Sequence, residues 1–257
     1  MLTPDELERI VVVLVATRNS LNIGAAARAM SNFGFTTLRL VRPWDPSFQE
    51  ARDEAARSAV GAGDLLAAAQ VFPAVAEAIA DCTLVLGTTA VTAGGRRDLL
   101  HPLDMLSESA VLVREHLTNP EARVAILFGS EKTGLSNDDL SHCHRLLRIP
   151  TREQHISMNL GQAVAICLYE FGAARAANSS PDAAAAPAPA SAGEVERLTQ
   201  MVLEALQSTG YIAPGAEAAT EEKLRRNFRR FALTRQDAQL ALGMARQILW
   251  KLRPPAR

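Results

Sequence analysis

The sequence predicts an α/β fold: a parallel sheet with helices on both faces, followed by a small helical extension at the C-terminal end. Three observations carry this reading. Apolar, β-branched runs recur between residues 10 and 149 and alternate with helical patterns, the order that builds a parallel sheet. The runs are apolar at successive positions, as in strands buried on both faces. A Pro/Ala/Ser tract over 178–193 then separates this body from three further helical patterns.

Taken in order, Thr3-Pro4-Asp5-Glu6 reads as a capped helical turn, with Thr3 at N-cap, Pro4 at N1 and Glu6 at N3. Strands are predicted at Ile10–Val15, Leu38–Val41, Gln70–Phe72, Thr83–Leu86, Val124–Phe128 and Leu146–Ile149. Helices are predicted at Ala25–Phe33, Glu50–Val60, Pro73–Ala80, Met105–His116 and Leu160–Ala176, and Ser136-Asn137-Asp138-Asp139 reads as a helix start. In the extension, Glu196–Ser208 ends at Gly210, which suits C′. Glu221–Phe231 opens on two acids, which suits the helix dipole. Ala238–Leu252 follows Thr234-x-x-Asp237, a capping box with Asp in the Glu/Gln role. The expected organisation is an α/β body over 1–177, a linker over 178–193 and a basic helical extension over 194–257.

The chain has 257 residues, 48% of them hydrophobic, enough for one sizeable core and an appendage. A net charge of −1 gives no whole-chain signal for nucleic acid. The charge is uneven, however. Residues 1–193 hold 16 Lys/Arg and 21 Asp/Glu, whereas 194–257 hold 11 and 7. That asymmetry fits an extension that meets a polyanion, and equally a solvated helical face. Cys82, Cys143 and Cys167 are odd in number and widely spaced, with no C-x-x-C pattern. Neither a disulfide framework nor a metal site is expected, and reduced, packed thiols suit a cytoplasmic protein. The N-terminus is acidic where a signal peptide is basic, and no apolar run reaches membrane length, so no membrane partner is expected.

Three short stretches follow strand-like runs, where open α/β sheets hold ligands. In Asn22-Ile23-Gly24-Ala25-Ala26-Ala27-Arg28, the glycine permits close backbone approach and the helix start offers N–H groups to an anion. Asn22 fits a helix cap or a ligand position; Arg28 fits a surface site or a grip on phosphate or a developing oxyanion. Gly129-Ser130-Glu131-Lys132-Thr133-Gly134-Leu135 reads as a tight loop that presents Glu131 to orient a partner or meet solvent. It lacks the Gly-Lys-Ser/Thr end of a phosphate-cradling P-loop. Ser157 and Asn159 flank Met158 before the helix at Leu160, where they can cap it or hold a ligand. Thr88-Thr89-Ala90 closes a fourth strand, and Gly94-Gly95-Arg96-Arg97 fits an RNA-contacting loop or a surface turn. In the extension, Lys223–Phe231 holds five cations and two aromatics. Leu224, Phe228 and Phe231 share a helix face and read as packing anchors, leaving cations for phosphates.

Together the three stretches resemble the signature motifs of the SPOUT-class (SpoU/TrmH-like) RNA 2′-O-ribose methyltransferases. They are most similar to the bacterial tRNA cytidine/uridine subfamily. The resemblance covers about residues 10–176. It implies an α/β-knot fold with a deep trefoil knot, S-adenosylmethionine as cofactor, a homodimer with a shared site, and a ribose 2′-hydroxyl of tRNA as target. That target is the first nucleotide of the anticodon loop; no DNA partner is expected. The positions matching the cofactor loops are Thr88, Thr89, Ala90, Gly129, Ile149, Ile156, Ser157 and Met158. The matching catalytic group is Arg28, Asn22, Glu131, Ser157 and Asn159. RNA contacts are expected from Arg28, Arg96, Arg97, Lys223, Arg226 and Arg230. One departure stands out: Val91–Gly95 intervenes before Arg96, where the tRNA-modifying relatives continue at once with an arginine. Alternatives are a ribosomal RNA target, against which the C-terminal extension argues, and a non-catalytic RNA-binding module, against which the complete motif set argues. A dinucleotide-dependent oxidoreductase is opposed by the missing G-x-G-x-x-G.

Overall fold

The computed structural model describes residues 2–43, 49–90, 103–152, 154, 157–173 and 187–252. Seven parallel strands form one sheet: β1 (Ile10–Val15), β2 (Thr37–Val41), β3 (Gln70–Phe72), β4 (Leu84–Thr88), β5 (Leu103–Met105), β6 (Val124–Phe128) and β7 (Arg145–Arg148). Their order is β3-β2-β1-β6-β4-β7-β5. β1 lies between β2 and β6, with Val13 opposite both Arg39 and Leu127. Both faces of β1 and β6 are buried throughout, which is why those strands read as unbroken apolar runs.

Side-chain parity sorts the core into two layers. One face (Val12, Leu14, Ile126, Phe128) packs against α2 (Ser20–Phe33), α6 (Leu106–Leu117) and α8 (Leu160–Ala173). The other (Val11, Val13, Ala125, Leu127) packs against α5 (Val75–Ala78), α7 (Asn137–Ser141) and the start of α9 (Ala192–Ser208). α1 (Pro4–Glu8), α3 (Gln49–Ser58) and α4 (Gly63–Ala68) complete the body; α10 (Glu217–Arg230) and α11 (Arg235–Leu252) follow α9. Cys82, Cys143 and Cys167 are free and fully buried, and burial pushes the Cys143 and Cys167 thiols up to about 12.

Several elements differ from expectation. β5 is a three-residue edge strand, too short to carry a periodicity, and α4 was not foreseen. α2 begins at Ser20, because Asn19 caps it by accepting from the Leu21 N–H at 2.9 Å. Asn22 is therefore inside the first turn. Gly24 serves helix packing instead of ligand approach: a Cβ there would lie 1.9 Å from the Ala55 carbonyl oxygen of α3. α9 begins at Ala192, four residues earlier than expected, on a Ser191/Glu194 capping box. Just before it, Ala190 is buried, and the Ala192 and Gly193 N–H groups donate to the Cys82 and Ala80 carbonyls at 2.7 and 2.9 Å. The first turn of α9 is thus docked on the body.

The extension is held mainly by arginine. Arg225 is 4% exposed and bonds Glu196 of α9, Glu221, and Asp138 and Ser141 of α7. Arg229 is also buried and donates to the Ala192 carbonyl at 3.1 Å. Phe228 packs on Ala190, Val195 and Ala238, but Phe231 is 64% exposed, so only one of the two aromatics is an anchor. Lys223 and Arg230 point outward and Arg226 is half-buried.

Candidate active site

β1, β6, β4 and β7 are neighbours at the sheet centre, so the loops leaving their C-terminal ends converge. Those after β4, β6 and β7 enclose a cavity of about 340 Å³. Its walls include Thr88, Thr89, Ala90, Gly129, Ile149, Ser157 and Met158, together with Glu131. Leu135, Leu140, Leu147 and Leu160 supply much of the apolar lining. Two polar groups are already committed: Thr88 Oγ1 donates to the Leu127 carbonyl at 2.9 Å, and the Thr89 N–H to the Leu147 carbonyl at 3.0 Å.

The loop after β6 is folded back on itself. Gly134 has φ +68°, and its N–H donates to the Ser130 carbonyl at 2.8 Å. A Cβ on Gly129 would lie 2.1 Å from the Gly134 carbonyl carbon, so only glycine allows this closure. The turn aims Glu131 at the start of α2. Its carboxylate accepts from Asn22 Nδ2 at 2.7 Å and from the Arg18 and Asn19 N–H groups at 3.2 and 3.4 Å. Partial burial disfavours the charge. The bonds from Asn22 and from the N–H groups of Glu131 itself, Arg18 and Asn19 outweigh it, holding Glu131 below the usual glutamate range.

Asn22 passes the connection on. Its Oδ1 accepts from Asn159 Nδ2 at 3.2 Å, and Asn159 Oδ1 caps α8 by accepting from the Gly161 N–H at 3.0 Å. A carboxylate on one loop thereby fixes the first turns of two helices. Asn159 is thus the cap of α8 and Asn22 the bridge between it and Glu131; of the three, Glu131 lines the cavity.

Arg28 stands apart. The early start of α2 puts it more than two turns in, roughly 9 Å along the axis from Asn22 and on a different face. Arg28 is exposed, sharing a stripe with Leu21 and Ala25, and it makes no hydrogen bond to the described residues. The structure thus brings together Asn22, Glu131 and Asn159, with Ser157 on the same cavity, and leaves Arg28 outside the group. Ile156, Arg96 and Arg97 lie outside the described residues. The sequence reading missed the backbone donors of Arg18 and Asn19, although Asn19-Ser20 carries a cap signal. It also missed Leu135, Leu140 and Leu147 as cavity walls, since a buried leucine looks alike whether it faces core or cavity.

The SpoU rRNA Methylase family model matches residues 9–169. The tRNA (cytidine/uridine-2′-O-)-methyltransferase TrmJ of Sodalis glossinidius (strain morsitans) is 34% identical over 244 residues, covering 94% of this chain and 92% of that protein. The enzyme of the same name from Klebsiella pneumoniae is 33% identical over 247 residues, covering 94% and 97%. The crystal structure of TrmJ from Z. mobilis ZM4 superposes with a TM-score of 0.80 at 30% identity, covering 93% of this chain and 98% of that one. Because residues 9–169 contain all seven strands and every loop around the cavity, the chain belongs to the SpoU methylase family.

Proposed function

We propose that the protein is an RNA methyltransferase that carries a methyl group from S-adenosylmethionine to a ribose 2′-hydroxyl of tRNA, at the first nucleotide of the anticodon loop. The observation that carries the reading is the Glu131–Asn22–Asn159 connection, which reaches the cavity through Glu131, in a chain whose relatives over nearly its whole length are named as tRNA methyltransferases.

The cavity suits the cofactor chemically. Leucine walls fit an adenine ring, and the Thr89, Ser157 and loop backbone groups offer polar partners for the ribose and the amino acid part. When bound, the cofactor supplies an electrophilic methyl group on a sulfonium. The protein must hold the ribose in line and favour the alkoxide form of its 2′-oxygen. A guanidinium is a poor base, since its pKa lies above ~12. Arg28 therefore serves by stabilising the nascent alkoxide and holding the adjacent phosphate, which takes the proton. Ser157 and Asn159 fix the ribose or cofactor, and Asn22 and Glu131 keep the rim in place.

The reading includes a homodimer with a shared site, a trefoil knot through the converging loops, and action in the cytoplasm. Its support within the chain is the α2–α8 face, where Leu21, Ile166 and Tyr169 are exposed beside Arg28. A second copy on that face covers the apolar groups and offers Arg28 of the partner subunit to the site. Lys223, Arg226 and Arg230 on α10 then meet RNA phosphates. The test is methyl transfer from labelled S-adenosylmethionine into tRNA lacking 2′-O-methyls, with nucleoside mapping. Label at the first anticodon-loop ribose is expected. Label in ribosomal RNA alone would keep the chemistry and overturn the substrate.

A further inference from the structure

α11 packs one side on the body of the extension, burying Ala238, Ala245 and Leu249. Its other side carries Leu240, Met244 and Ile248, exposed by 65, 55 and 53%. Spacing at i, i+4 and i+8 makes these one continuous stripe. Single exposed apolar residues are ordinary; a contiguous stripe marks a docking surface. RNA is a poor occupant, because the stripe offers aliphatic side chains, not cations or hydrogen-bond donors. Exposed Lys223 and Arg230 lie on α10, exposed Arg246 of α11 falls off the stripe, and Lys251 stands only at its end.

The stripe is complementary to itself. An antiparallel second α11, related by a two-fold axis at Met244, sets Leu240 against Ile248 and Met244 against Met244. The same register sets Asp237 against Lys251 at both ends. Asp237 is exposed, and both bonds from Thr234 fall on its Oδ2, at 3.2 Å from N–H and 2.6 Å from Oγ1, leaving Oδ1 for a cation. Lys251 is exposed and has no ion-pair partner among the described residues. A parallel pair would instead oppose Asp237 to Asp237 and Lys251 to Lys251, so charge selects the antiparallel arrangement.

We propose that this face of α11 docks α11 of a second copy of the chain, antiparallel, with Met244 on the axis. α9, which carries α11, docks on the sheet face of α5 and α7, opposite the face covered by α2 and α8. The contact is therefore separate from the subunit contact proposed above, and it joins such pairs into a larger assembly. One helix pair buries an area at the low end for specific interfaces, so the association depends on concentration.

Disulfide trapping in the full-length protein tests this directly. The three native thiols are fully buried, so Met244→Cys adds a single reactive one. Helix axes 8–10 Å apart leave facing Cα atoms about 4–5 Å apart, within disulfide reach. Under mild oxidation most of the Met244→Cys protein should run as a covalent dimer, while Gln239→Cys, off the stripe, stays monomeric. Adding Lys251→Glu to Met244→Cys should slow trapping, and further adding Asp237→Lys should restore it. In sedimentation, Met244→Lys should halve the mass of the largest species with S-adenosylhomocysteine binding unchanged. Monomeric Met244→Cys, or equal trapping of Gln239→Cys, overturns the proposal. Disrupting the α2–α8 face with Tyr169→Arg tests the other contact separately and should leave Met244→Cys trapping intact.

Discussion

Glu131 makes three hydrogen bonds into the first turn of α2, and no neutral side chain reproduces them. Gln has one acceptor oxygen and would turn an NH₂ toward N–H donors. Glu131→Gln should therefore lower kcat for tRNA methylation by about 10²-fold, the scale of a lost electrostatic or positioning contact at an active site, while calorimetric S-adenosylhomocysteine affinity changes only slightly. Because the native carboxyl sits below the usual glutamate range, its contribution is complete above the unfolded value and is lost only as pH falls through the depressed native one. Arg28 poses the opposite problem, a candidate catalytic group with no hydrogen-bond partner among the described residues. If it acts across a subunit boundary, mixing inactive Arg28→Ala and Glu131→Ala subunits should restore activity in about a quarter of sites, the fraction set by two-fold symmetry and random pairing. No recovery would assign Arg28 to its own subunit. Glu131 was recognisable from its loop, but its three donors were not, because they depend on where α2 begins.

At the level of elements, local capping signals decided most boundaries. Asn19 and Ser191 start α2 and α9, earlier than apolar periodicity suggested. Tertiary packing decided which side of α10 faces inward. Helical spacing marked Leu224, Phe228 and Phe231 as the buried face, yet Phe231 is exposed and Arg225 and Arg229 are buried. For Arg225 the reason lies in the acids that α7 and α9 present: Asp138 and Glu196 compensate it, and a compensated guanidinium can be buried; Arg229 is held instead by the Ala192 carbonyl. Arg225→Met should destabilise the protein by about 2–4 kcal/mol in urea unfolding, slightly below the usual cost of breaking a buried ion pair because Asp138 and Glu221 stay partly solvated. The outward cations behave differently. Lys223→Glu with Arg230→Glu should weaken tRNA binding at least tenfold and flatten its salt dependence, with unfolding changed little. A salt slope equal to that of the unaltered protein would remove α10 from the RNA surface.

For the molecule as a whole, the seam between body and extension is sensitive to acid. Burial, reinforced by Arg225 and Arg229, holds His142 neutral, far below the ordinary histidine range, although Glu196 and Asp139 oppose this. The unfolded chain binds a proton there near pH 6.5 and the native one does not. The stability from His142 is thus complete above that value and declines as pH falls toward the native pKa. Between pH 7 and pH 5 unfolding free energy should drop by about 1–2 kcal/mol, and His142→Gln should remove most of that dependence. Equal slopes for both proteins would show that other groups carry it.

The sequence alone determined the parallel α/β class, six of the seven strands and the loops that meet at the cavity. Those features are written locally, in β-branched runs, glycine spacing and capping residues. Only the tertiary structure decided that Glu131 clasps the start of α2, that Asn22 and Asn159 form one connection, that Arg28 lies on another face of α2 from Asn22, and that α10 is anchored by arginines. These depend on strand order, which sets residues more than a hundred positions apart side by side. No local pattern encodes a carboxylate's partner when that partner arrives from another strand of the sheet.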